Sequence, residues 1–283
     1  RDAKRGAAPD GDAKRGAAPD RGAAPLAAII LAAGKGKRMS SSLAKVLHPL
    51  AGRPLVLHVA AAARRIGASP IAVVVGHQAG AVREALAGAG GDFSFALQAE
   101  QLGTGHAASV GLAALEKSSG DVLLLCGDVP LLRPETIEDL LSHHRRSGAS
   151  ATLLTAVLEN PQGYGRVIRG EGGEVLEIAE EADATGAQRA VREINSGTYV
   201  FDLEFLSRAL PEIRPENRQG EYYLTDVVAL AVAEGRPVQA VSAPHPQEAL
   251  GVNDPGDLAR AEAIFARRAG AGPGHPQKQS DLI

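Results

Sequence analysis

From Leu26 onward the chain alternates two kinds of apolar pattern. Short unbroken runs, such as Leu26–Leu31 (LAAIIL), Ile71–Val75 (IAVVV) and Val122–Leu125 (VLLL), hold no polar position. A strand is apolar on both faces only where other layers cover both, so these runs read as central strands of a covered sheet. Phe93–Leu97, Ala151–Leu158 and Asn195–Phe201 are further strand candidates. Between the runs, apolar residues recur three and four apart, which predicts helices over Leu55–Ile66, Ala79–Ala87, Gly105–Leu115, Pro134–Arg146, Thr225–Ala233 and Pro255–Arg268. Strands alternating with helices imply crossover connections and an α/β fold with a doubly wound, mostly parallel sheet. Past about residue 150 the alternation loosens, and Tyr164–Ile178, which holds Gly165, Gly170, Gly172 and Gly173, reads as a hairpin. The second half of the sheet is therefore expected to carry an inserted β-rich lobe. In such sheets ligands lie beyond the carboxyl ends of the strands, so the residues just after each strand are where chemistry is sought.

The ends of the chain break the pattern. Asp2–Gly11 (DAKRGAAPDG) is repeated almost unchanged at Asp12–Arg21, and the unit has no large aliphatic or aromatic residue to bury. Residues 1–25 are therefore expected to be a disordered low-complexity tail, and the Gly- and Pro-rich residues 269–283 a second one. The N-terminal repeat does not read as a secretory signal, because it has no apolar central region. Residues 26–268 remain as the folded domain.

Composition narrows the class. The 283 residues carry 30 basic and 33 acidic side chains, which argues against a protein held to nucleic acid or to an anionic membrane by bulk charge. The longest apolar stretch, Leu26–Ala33, is too short to cross a bilayer. A single cysteine, Cys126, excludes an intrachain disulfide and a multi-cysteine metal site. A cytoplasmic enzyme is the expectation.

Two strand ends carry candidate chemistry. The first strand runs into Ala32-Ala33-Gly34-Lys35-Gly36-Lys37-Arg38-Met39, where glycines allow backbone N–H groups to point at an anion and basic side chains add charge. This is neither GxxxxGK[ST] nor GxGxxG. Lys45 follows seven residues after Arg38 and suits a point charge beside phosphate oxygens, although a solvated lysine would look the same. The second strand end is Cys126-Gly127-Asp128-Val129-Pro130. Magnesium takes one or two protein oxygens plus substrate phosphates, so one Asp held at a ligand edge is enough, whereas a turn-forming Asp is the plain alternative. Cys126 reads as a packing residue.

Eight ordered motifs then carry a family likeness. They are LAAGKGKRM (Leu31–Met39), KVLHPLAGRPL (Lys45–Leu55), LQAEQLGTGHA (Leu97–Ala107), GDVPL (Gly127–Leu131), GYGRVIR (Gly163–Arg169), EINSGTYVF (Glu193–Phe201), GEYYLTD (Gly220–Asp226) and GVND (Gly251–Asp254). Together they resemble the uridylyltransferase half of the bifunctional N-acetylglucosamine-1-phosphate uridylyltransferase/glucosamine-1-phosphate acetyltransferases, within the sugar nucleotidyltransferase superfamily. The resemblance implies a Rossmann-like fold of the nucleotide-diphospho-sugar transferase type with a small sugar-binding lobe. It implies UTP and N-acetyl-α-D-glucosamine 1-phosphate as partners, UDP-N-acetylglucosamine and pyrophosphate as products, and Mg²⁺ as cofactor. By the family pattern Leu31, Ala32, Ala33 and Gly34 contact the nucleotide, with Lys45; Gln98, Gly103 and Thr104 read the base; Gly127 lies by the ribose. Asp128 and Asn253 are the metal ligands, Gly165, Glu180 and Asn195 line the sugar pocket, and Arg38 and Lys45 carry the catalytic positive charge. Ala44 and Cys126 depart from the pattern: Ala44 stands where the family usually has Pro, and Cys126 where Tyr or Asn is common. Another sugar-phosphate nucleotidyltransferase, or a catalytically silent nucleotide-sugar sensor, are the alternatives. The short stretch after Arg268 is too small for a β-helical acetyltransferase, so uridylyl transfer alone is expected, without the trimer of bifunctional relatives.

Overall fold

The computed structural model describes residues 24–115 and 118–270. The expected tails lie outside these, apart from Ala24, Pro25, Ala269 and Gly270. Eleven strands and eight helices follow one another. They are β1 (Leu26–Ala32), β2 (Pro49–Leu50), β3 (Arg53–Pro54), α1 (Leu55–Arg65), β4 (Ile71–Val75), α2 (Ala79–Gly88), β5 (Phe93–Leu97), α3 (Thr104–Ala113), β6 (Asp121–Cys126) and α4 (Pro134–Ser147). The second half holds β7 (Ala151–Val157), β8 (Arg166–Arg169), β9 (Val175–Ala179), α5 (Gly186–Arg189), β10 (Glu193–Asp202), α6 (Leu203–Ala209), α7 (Thr225–Ala233), β11 (Val238–Ser242) and α8 (Pro255–Gly270).

The main sheet has the order β11-β7-β10-β6-β1-β4-β5. β6, β1, β4 and β5 run parallel, as do β7 and β11, while β10 runs antiparallel to both β6 and β7. The sheet is thus mostly parallel, with one reversed strand that the apolar pattern could not reveal. Alternate side chains of each central strand enter different cores. Ala28 and Ile30 join Val73 and Leu123 on the face covered by α1, α2 and α4, whereas Ala27 and Ile29 join Val74 and Leu124 on the face covered by α3, α6 and α7. This two-sided burial is why the runs are apolar throughout.

The expected lobe is present. β8 and β9 form an antiparallel hairpin that joins the sheet through the Arg166–Ile194 pair. The fully buried Arg166 guanidinium pairs with Glu181 at 2.8 Å, and Arg169 holds Glu193 through two hydrogen bonds. Some bounds and elements differ from the expectation. α8 continues through Gly270, beyond the expected end at Arg268, and α6 and β11 were not expected. β11 is a half-buried edge strand and α6 is only seven residues long, so neither has a strong periodic signal.

Candidate active site

The chain reverses its winding between β1 and β6, and the ends of these two strands open the site. Gly127 N–H donates to Leu31 O at 2.9 Å, which brings the glycine-rich loop and the Asp128 turn side by side. Gly34 is exposed, and a Cβ added there would meet nothing within 4 Å. Gly36 has φ +64°, and a Cβ there would lie 2.5 Å from Lys45 Cβ. Only glycine therefore lets the loop fold down on Lys45.

Lys45 Nζ forms an ion pair with Asp128 Oδ2 and donates to Asn253 Oδ1 at 3.2 Å. Asp128 and Asn253 lie 125 residues apart in the chain. The Val252 N–H to Asp128 O bond, 2.8 Å, clips their two loops together. Among the described residues no group of three or more His, Cys, Asp and Glu side chains could hold a metal. The Asp128 carboxylate and the Asn253 amide oxygen instead converge on one cation, the ammonium of Lys45. Two oxygen donors of this kind suit Mg²⁺ when phosphate oxygens complete the shell.

The lobe supplies the other wall. Gly165 precedes β8 and Glu180 follows β9, so the hairpin sets them opposite each other. Asn195 N–H donates to Gly165 O at 2.9 Å, which closes the group. A break in register between Asn195 and Tyr199 turns the Asn195 side chain, whose Nδ2 donates to Tyr199 Oη at 2.6 Å. Glu180 accepts from the Thr225 hydroxyl at 3.1 Å. Burial, opposed by the Thr225 bond and reinforced by Asp226, Asp183 and Glu221, raises the Glu180 carboxyl above its ordinary value.

A cavity of about 300 Å³ lies between these walls, lined by Leu31, Thr104, Asp128, Gly165, Glu180, Asn195 and Asn253 among others. It opens past Gly163, Tyr164, Gly251 and Asn253 into a larger cleft of about 810 Å³ that Arg38 borders. Ala32, Ala33, Gly34, Gln98, Gly103, Gly127 and Lys45 stand behind or beside the cavity, outside its lining. Gln98 is buried, and its Nε2 donates to Gly103 O at 3.2 Å. Gly103 has φ +107°, and a Cβ there would meet Tyr222 O at 2.5 Å. Thr104 Oγ1 accepts from Leu224 N–H at 3.0 Å. The QLGTG and GEYYLTD motifs are therefore one packed junction, for a reason invisible in either motif alone.

A family model described as the MobA-like NTP transferase domain matches residues 28–197. The chain belongs to that family. Its overlap with this region takes in the glycine-rich loop, the Asp128 turn, Gly165, Glu180 and Asn195. Proteins named "Bifunctional protein GlmU" match over most of this NTP transferase chain. The one from Pelobacter propionicus is 54% identical over 86% of this chain and 53% of its own length. Those from Exiguobacterium sp. and Brevibacillus brevis are 50% and 49% identical over 85% of this chain and 53% and 52% of theirs. The chain thus spans about half the length of the curated relatives it matches, and the likeness read from the ordered motifs is borne out. A solved UDP-glucose pyrophosphorylase complexed with UDP-glucose superposes with a TM-score of 0.69 at 16% identity, over 87% of this chain and 99% of that one, and shows the same fold. Among the described residues no helix is long and apolar enough to cross a membrane.

Several residues that position this NTP transferase site gave no sign in the sequence. Gln101 Nε2 donates to Ala33 O at 2.8 Å and holds the glycine-rich loop from behind. Gln78 grips the segment before Lys45 with both ends of its amide: Nε2 donates to Ser42 O and Oε1 accepts from Ala44 N–H, each at 2.8 Å. Ala44 has φ −58°, within the range of proline. Gln78→Ala is expected to loosen residues 40–48, seen as faster amide exchange there, and Ala44→Pro in that background to restore order by fixing φ. Equal exchange in the single variant and the parent would refute this clamp.

Cys126 packs under the turn at Gly197, with its Sγ 3.5 Å from Gly197 O. Burial, aided by the Asp128 charge, pushes its thiol up to about 12, so it is a packing group and not a nucleophile. The histidines beside the motifs also have structural partners: His58 Nε2 lies 2.9 Å from Leu50 O, and His106 Nδ1 lies 3.1 Å from Gln98 Nε2.

Proposed function

We propose that the chain transfers the uridylyl group of UTP to N-acetyl-α-D-glucosamine 1-phosphate, giving UDP-N-acetylglucosamine and pyrophosphate. One observation carries this reading. Asp128 and Asn253, which Lys45 bridges, and the lobe group of Gly165, Glu180 and Asn195 line one cavity, so a sugar phosphate held by the lobe presents its phosphate to the charged side. The ordered motifs support the choice of nucleotide and sugar.

The attacking group needs no activation by the protein. A sugar phosphate has a second pKa near ~6, so it is mostly dianionic at pH 7. One of its oxygens bonds to the α-phosphorus of UTP, the bond from that phosphorus to the bridging β-oxygen breaks, and pyrophosphate leaves with the electron pair. The work of the residues is to hold two anions in line and to neutralise the charge that develops. Arg38 and Lys45 supply positive charge to the leaving oxygens. Asp128 and Asn253 would hold Mg²⁺, which when bound offsets phosphate charge. Glu180 and Asn195 accept from and donate to sugar hydroxyls or the acetamido group, and Gly165 leaves room for them. Leu31, Ala32, Ala33, Gly34 and Gly127 offer backbone groups to the nucleotide. Gln98, Gly103 and Thr104 set the wall on which the base rests.

The test is pyrophosphate release by the purified chain with each of four nucleoside triphosphates against several sugar 1-phosphates, with and without EDTA. EDTA-sensitive turnover selective for UTP and N-acetylglucosamine 1-phosphate is expected. Selectivity for another pair would move the reading to a different sugar nucleotidyltransferase, and binding without turnover would move it to a sensor.

A further inference from the structure

Behind the Asp128 turn lies a second cavity, of about 800 Å³, between the end of α1, residues 130–134 and the end of α8. Among the described residues three arginines line it, Arg65, Arg133 and Arg268, together with His58 and His245, and no acidic residue does. Glu248 is wholly buried behind Arg133. Its Oε2 accepts from the Thr136 hydroxyl at 2.6 Å and from Arg133 N–H at 3.2 Å, and its Oε1 stands 3.5 Å from Arg133 Nε. Glu248 offsets part of the charge of Arg133 and of Arg268, but it is one carboxylate against three guanidinium groups. Arg268 donates to Leu131 O at 2.6 Å, which anchors its head group at the cavity wall. Burial, and then the charge of Arg133, lower the Arg268 guanidinium below its ordinary value, a sign that the two cations feel each other across this space. The remaining wall is apolar, made by Ala61, Ala62, Leu132 and the Phe265 ring.

We infer that this cavity is a binding site for a phosphorylated small molecule, with the guanidinium groups on a phosphate or diphosphate and the apolar wall against an uncharged body. Guanidinium forks match phosphate oxygens in pairs, and converging cations gain most from a multiply charged anion. A di- or triphosphate suits a cavity of this size better than a single inorganic ion. The site is separate from the cleft but joined to it, because Leu131 borders both cavities and lies three residues after Asp128.

The experiment is calorimetric titration of the whole chain with inorganic pyrophosphate in EDTA, so that no turnover enters. Parent, Arg133→Gln, Arg65→Gln and Lys45→Ala proteins are compared at equal ionic strength. Arg133→Gln is expected to weaken one binding event about tenfold, the loss of one charge-assisted pair, and Lys45→Ala to leave that event in place. Arg65→Gln, on an exposed helix end, tests the same site without risk to the fold. Binding unchanged in both cavity variants, or abolished by Lys45→Ala alone, overturns the inference. The outcome does not depend on which reaction the cleft performs.

Discussion

Asp128→Ala is expected to lower the proposed formation of UDP-N-acetylglucosamine by about 100- to 1,000-fold, the scale on which one preorganised charge at a phosphoryl-transfer centre acts. The expectation rests on the position of this carboxylate. It stands two residues past the end of β6, its backbone oxygen is clipped to Val252, and its side chain shares Lys45 with Asn253. Removing it leaves the backbone clip intact, so the fold is expected to survive. The half-buried Lys45 ammonium loses its carboxylate and the proposed Mg²⁺ loses its charged ligand. Steady-state rates over a magnesium titration, with circular dichroism as a check on folding, decide the matter. Near-parent turnover at any magnesium concentration would show that Asp128 is only a turn residue.

Asp121→Ala is expected to cost about 3–5 kcal/mol of stability, the usual consequence of stripping one partner from a buried ion pair. Asp121 is fully buried at the start of β6, with Arg145 Nε 2.7 Å from its Oδ2 and the buried His144 Nε2 3.6 Å from its Oδ1. Arg145 also donates to Ala24 O at 2.6 Å, so the pair ties α4 to the start of the folded chain. For a domain of this size the loss corresponds to a fall of roughly 10 °C in the unfolding midpoint. Its pH dependence has a definite sign. Burial pushes the Asp121 carboxyl up, but His144 and Arg145 together outweigh this and hold it below its ordinary value of 3.8. A carboxyl depressed in the folded state stabilises fully above the unfolded value and loses that stabilisation as pH falls through the folded one. The gap between parent and Asp121→Asn should therefore be the same at pH 7 and pH 5 and close only below pH 3.8. A gap that already closes between pH 7 and pH 5 would overturn the assignment of this stability to the Asp121 carboxylate.

Much of the molecule was legible before any coordinates. The apolar runs named β1, β4 and β6, and the helical periodicity named α1, α4 and α7, because burial on one or two faces leaves a period in the residues themselves. Glycines crowded into residues 163–173 marked the hairpin, since strands cannot keep them. Candidate chemistry at Gly34–Lys45 and at Asp128 was readable because both follow strands, where an α/β sheet binds ligands. Asn253, Glu180 and Asn195 were readable only through the likeness of ordered motifs, since each by itself is an unremarkable polar residue.

What the residues determined alone is local: where the backbone extends or coils, which side faces inward, and which polar groups stand at strand ends. The reversal of β10, the meeting of Asn253 with Asp128, the grip of Gln78 on Ala44, the burial of Asp121 and the cluster of Arg65, Arg133 and Arg268 were decided by tertiary structure. Each depends on a contact between residues far apart in the chain. Secondary-structure periods repeat every two or nearly four residues and carry information over one element only, whereas the partner of a polar side chain is set by how the layers stack. That stacking leaves no period to read.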